Sequence, residues 1–132
     1  MMWMRCGSLL MLLGVALGAF GAHGLKETLS AEAKQVYQTA VFYHLIHGLG
    51  LLAVGWLAIL KPMEPLIRIA GWSFVIGIVL FSGSLYLLSL TQAKKLGLLT
   101  PFGGLAFLVG WLCLTLASTP PNGSLHRAIG GA

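Results

Sequence analysis

The sequence predicts an all-α membrane protein with four transmembrane helices in an up-down-up-down antiparallel bundle. Three observations predict it. Apolar residues make up 58% of the 132 and charged residues only 8%, against about 25% charged in ordinary soluble domains. Four runs carry no formal charge, at residues 6–22, 35–60, 69–93 and 101–118. A helix needs ~17–25 such residues to cross a hydrocarbon core of ~30 Å, and all four runs qualify. The connections between them are short, which makes sequence neighbours antiparallel.

The first span, residues 4–22, has Arg5 in its first turn and ends before His23. Its basic start and Ala19-Phe20-Gly21 weakly resemble a signal peptide, but the apolar stretch is long for that role. Loop one centres on Gly24 to Ser30, with Ser30 placed to cap the next helix and Glu32 in its first turn. The second span, 36–60, belongs to a helix from Ala31 to Leu60, about 45 Å long at ~1.5 Å per residue. Its first turns therefore protrude from the bilayer or lie in the interface. Pro62 and Pro65 in "KPMEP" stop that helix and open the third span, 67–91. Loop three is "TQAKKLGLLT", where Thr100 is placed as N-cap and Pro101 as first helical residue of the fourth span, 101–118. The tail, 119–132, is rich in Gly and Pro and expected to be loosely ordered.

Net charge is +5, yet the basic residues stand singly or as the pair Lys94 and Lys95. No stripe exists to follow a phosphate backbone, so nucleic acid is not an expected partner. The basic residues mark helix ends near membrane lipid. Arg5, Lys61, Arg68 and Arg127 fall on the terminal side, and Lys26, Lys34, Lys94 and Lys95 on the other. The α-amino group breaks this tie towards cytoplasmic termini in a bacterial inner membrane. Trp3, Trp56 and Trp72 are expected at one interface, and Tyr37, Tyr43 and Tyr86 towards the other. Cys6 and Cys113 lie inside apolar runs and read as small packing residues.

Lipid tails remove the hydrophobic drive between helices, so close fit must replace it. Gly14, Gly18 and Ala22 form one small-residue stripe, the first two as GxxxG. Gly103, Ala106, Gly110 and Ala117 form another at spacings of three and four, with Cys113 between. Both read as contact seams, within the chain or in a homo-oligomer.

The polar residues of the spans gather by topology alone. Tyr43, His44 and His47 share a helix face. His23 ends the first span near loop one, Ser82, Ser84 and Tyr86 end the third, and Thr100 begins the fourth. All eight are expected near the rim of loops one and three, as a candidate polar site. The motifs "GAFGAHGL", "YQTAVFYHLIHGL", "LFSGSLYLL" and "TPFGGLAFLVGW", at 18–25, 37–49, 80–88 and 100–111, resemble the YgdD/YwdK-type small inner-membrane proteins. That family has eukaryotic transmembrane relatives and is filed as a domain of unknown function. The resemblance implies a four-helix membrane protein and supplies neither activity nor catalytic residues. Tyr37 stands where members often carry Trp.

The chain has no Asp, and Glu27, Glu32 and Glu64 lie outside the apolar cores. No HExxH, P-loop, Rossmann or GxSxG pattern occurs. No catalytic residue, cofactor or metal ligand is therefore assigned. The expected role is a non-catalytic scaffold that binds lipid or a membrane-protein partner. The alternatives are a proton, ion or small-solute conduit through the polar cluster, and haem or metal held by His44, His47 and His23.

Overall fold

Helix α1, Met2–His23, and helix α2, Ala31–Leu60, are the first two apolar runs in three dimensions. The computed structural model describes residues 1–25 and 27–118; the tail expected from 119 onwards lies outside them. Ser30 accepts a bond from the Ala33 amide at 3.2 Å, the N-cap its position predicts. Glu64 caps α3, Pro65–Gly77, by accepting from the Leu66 amide, with Pro65 in the first turn. The third span continues through a π-helical segment, Ile78–Gly83, into α4, Ser84–Thr91. Gln92, with φ 55°, ends it in the left-handed region. A 3₁₀ turn, Lys94–Leu98, leads to α5, Thr100–Ser118.

Four helical stretches are long and apolar enough to cross a membrane, Met2–His23, Ala31–Leu60, Pro65–Thr91 and Lys94–Ser118. Among the described residues there is no strand. Each neighbouring pair meets in reverse order. Along α1, Gly7 lies against Leu51 and Leu52, Gly14 against Leu45, and Gly18 against Val41. In the third span Phe74 meets Gly50 and Gly110, while Phe81 meets Tyr43 and Gly103.

The middle of the molecule is α2 and the third span, with α1 packed mainly on the former and α5 mainly on the latter. Among the described residues an apolar core fills the half nearest Met2 and Ser118. It joins Trp3, Leu51, Val54, Ile67, Phe74, Phe107 and Leu114 across all four spans. Beside it, Lys61 donates to the Ala117 carbonyl at 2.6 Å, a cation on the carbonyl end of α5. Trp56 and Trp72 are exposed, as interfacial anchors would be, but Trp3 is buried against Gly71 with its ring edge-on to Trp72 at 5.5 Å. Tyr37 is likewise buried. Both rings face a glycine on a neighbouring helix, Gly71 and Gly21 respectively, and so turn inward.

Candidate polar site

His44 sits where α1, α2 and α4 meet. Its ring is buried, with Nδ1 3.3 Å from the Tyr86 hydroxyl. Gly14 makes room on the α1 side, where a Cβ would lie 3.5 Å from His44 Cδ2. The Leu10 carbonyl lies on that side too, but Nε2 does not reach it at hydrogen-bonding geometry and has no partner among the described residues. Tyr86 in turn packs edge-on to Tyr37 at 5.1 Å. Tyr37 donates to the Leu17 carbonyl at 2.8 Å. Three aromatic polar groups thus tie the first, second and third spans together, and each ring turns an amphipathic end to a backbone or side-chain partner.

His47 faces elsewhere. Its Nδ1 lies 2.7 Å from the Tyr43 carbonyl one turn back, so it donates there and leaves Nε2 as the acceptor of the neutral ring. Phe107 of α5 stacks on the imidazole at 3.4 Å, with only 7° between the planes. Phe74 and Trp111 complete the enclosure at 5.5 and 6.0 Å. A shared helix face was expected for Tyr43, His44 and His47. Tyr43 and His47 keep that face, their rings stacked at 5.9 Å with 15° between the planes, whereas the His44 ring diverges from His47, because residues three apart on a helix differ by about 60°. That difference sends His44 towards α1 and α4, and His47 towards α5.

The hydroxyls line the junction of the third span with α5. Ser84 Oγ donates to the Phe81 carbonyl at 2.9 Å and lies 3.0 Å from Thr100 Oγ1. Thr100 was expected to cap α5. The helix instead begins at Thr100 itself, the Leu99 carbonyl receives the first bond from Gly103, and the threonine hydroxyl reaches across to Ser84. Ser82 is fully buried in the π-helical segment, and its Oγ has no partner among the described residues. Ser89, which the sequence reading passed over, is buried and donates to the Tyr86 carbonyl at 2.8 Å. Its place one turn beyond Tyr86 was the available signal.

One of the eight candidates stands apart. His23 is exposed at the end of α1, and its imidazole forms no hydrogen bond among the described residues. Tyr43 is 36% exposed, its ring against Phe81 at 4.4 Å and stacked on His47 at 5.9 Å. The haem or metal alternative required His23, His44 and His47 to converge. Among the described residues no group of three or more His, Cys, Asp or Glu can hold a metal ion. The cause is the divergence of the two buried rings and the position of His23 beyond them.

The small-residue stripes meet neighbours within the chain. Gly14 and Gly18 face α2, while Ala22 is exposed. Gly103 and Gly110 face the third span, Ala117 is buried and Ala106 half-buried. Past Gly14 the first seam widens into a half-open groove of about 500 Å³ between α1 and α2. The sequence reading missed this groove. Its signal is the cluster Gly18, Gly21 and Ala22 opposite Lys34 and Gln38.

Residues 17–104 match the family described as "Protein of unknown function (DUF423)". The UPF0382 membrane protein YwdK of Bacillus subtilis is 47% identical over 112 residues, covering 85% of this chain and 91% of that protein. A UPF0382 membrane protein of Staphylococcus epidermidis is 45% identical over the same share of this chain and 90% of its own length. The relative from Staphylococcus saprophyticus is 46% identical, with 92% of its length covered. No solved structure matches. Four apolar spans and relatives named as membrane proteins along nearly their full length lead to one conclusion: the chain belongs to the DUF423 (UPF0382) family and is a multi-pass bacterial membrane protein.

Proposed function

We propose that the protein is a non-catalytic membrane component, a small scaffold whose surface receives lipid or a membrane-protein partner. Its buried His, Tyr and Ser side chains fix helix register. One observation carries this reading: both buried imidazoles commit Nδ1 to internal partners, and their rings are closed in by packed side chains. A catalytic imidazole needs an approach for substrate. The spans also lack any carboxylate to pair with it. Neutral histidine suits a register role, since it bonds to a neighbour without the cost of a buried charge. A second copy of the chain would use the outer faces of α1 and α5, rich in exposed Leu, Val and Phe, because Gly14, Gly103 and Gly110 already face neighbours within the chain.

The conduit is the second reading, favoured by two buried polar atoms without partners among the described residues, His44 Nε2 and Ser82 Oγ. Proteoliposome proton flux separates the two. The scaffold reading expects flux equal to that of empty vesicles for wild type and His44→Ala alike, with His44→Ala lowering the unfolding temperature in detergent. Wild-type flux above the empty-vesicle level, abolished in His44→Ala, would establish the conduit instead.

A further inference from the structure

The groove between α1 and α2 has a direction. One wall is a single face of α2, on which Lys34 and Gln38 stand nearest loop one, followed by Val41 and Leu45 deeper in the span. The other wall is the end of α1, where Gly18 and Ala22 offer almost no side chain. Polarity therefore falls along the groove, from an ammonium through an amide to branched alkyl groups. Lys34 is half-buried, and its ammonium has no ion-pair or hydrogen-bond partner among the described residues. Its level, in the first turn of α2, is where lysine meets lipid head groups.

Size selects the occupant. From Lys34 to Leu45 the groove runs about 16 Å at ~1.5 Å per residue. A volume of about 500 Å³ over that length leaves a mean cross-section of roughly 30 Å². A helix ~10–12 Å across needs roughly 80–110 Å². A partner helix would therefore lie over the open side rather than within the groove, whereas an extended hydrocarbon chain enters it. A soluble anion would leave the apolar two-thirds of the groove unfilled.

We infer that this groove binds one anionic phospholipid, its phosphate against Lys34, its ester region beside Gln38 and an acyl chain along Val41 and Leu45 over Gly18 and Ala22. This names the ligand class for the lipid-binding part of the proposed function and rests on that reading. One basic residue near a membrane surface is worth about five-fold in preference for anionic lipid.

The test uses the full chain purified in mild detergent, mixed with equal amounts of phosphatidylglycerol and phosphatidylcholine and examined by native mass spectrometry. Wild type is expected to retain one phosphatidylglycerol, about five-fold over phosphatidylcholine. Lys34→Gln brings that ratio close to one, and Lys34→Arg preserves it. Ala22→Leu, on the exposed wall, lowers the total lipid retained without changing the unfolding temperature. An unchanged ratio in Lys34→Gln, or undiminished retention in Ala22→Leu, overturns the groove assignment while leaving lipid binding elsewhere on the protein intact. Wild type that retains no lipid overturns both the groove and the lipid-binding part of the proposed function.

Discussion

The two glycine seams of this molecule look alike in the sequence and behave differently in space. Along α1, a Cβ added at Gly14 would first meet the tip of Leu45, Cδ2 at 2.8 Å, and one at Gly18 would meet Val41 at 3.2 Å. Those are ends of side chains, and beyond them the seam opens into the groove. Along α5, a Cβ at Gly103 would run into the backbone amide and the Cα of Phe81, and one at Gly110 into the ring of Phe74. The first seam is a spacing that side chains negotiate. The second is a backbone-to-backbone contact on a π-helical segment at Gly103, where nothing can rotate away, and a contact with the fully buried Phe74 ring at Gly110. Glycine stripes thus do two jobs, and only the neighbour's identity says which.

That contrast is most sharply broken at Gly103. Gly103→Ala should destabilise the protein by about 1–3 kcal/mol, the range for overpacking a close-fitted site, as read by thermal unfolding in detergent. A loss no greater than that of Gly14→Ala would erase the distinction. Gly14→Ala itself should cost less, up to about 1 kcal/mol, because Leu45 can change rotamer at modest expense. Next in size comes Lys61→Met, which removes the cation from the Ala117 carbonyl and should cost about 0.3–1 kcal/mol; increased hydrogen exchange in the last turn of α5 would locate the effect. Smallest is Tyr86→Phe. It deletes the 3.3 Å contact with His44, and hydrogen bonds between membrane helices average ~0.6 kcal/mol. A loss of several kcal/mol there would mean that the His44 and Tyr86 pair does more than set register.

The π-helical segment shows why some of this was beyond one-dimensional reading. Nothing in "IVLFSG" forbids an ordinary α-helix. The extra residue per turn coincides with the place where Gly103 closes on Phe81. Such segments are usually single insertions within a helix. Thr100 gives the same lesson on a smaller scale. Its position before Pro101 suited a cap, but the hydroxyl of Ser84 lay within reach, and a bond between helices took the place of a local one. The pair His44 and His47 was legible as polar and as helical. Its division between two interfaces was not, because a helix face is wide and the neighbours on either flank decide which edge each ring takes.

By itself the sequence determined where the chain enters and leaves the apolar phase. Charge-free length, proline placement and the caps at Ser30 and Glu64 depend on residues close together along the chain, and lipid forces each span to satisfy its own backbone. The sequence also led to the expectation that the eight candidate polar residues would lie towards loops one and three, since antiparallel spans of known length bring those chain segments to one side. Tertiary structure alone decided which groups meet: His44 with Tyr86, His47 with Phe107, Ser84 with Thr100, and an opening rather than a seam beside Gly18. Those pairings turn on rotations of a few tens of degrees about each helix axis. Such rotations are set by close packing against residues far away in the chain, and hydropathy carries no record of them.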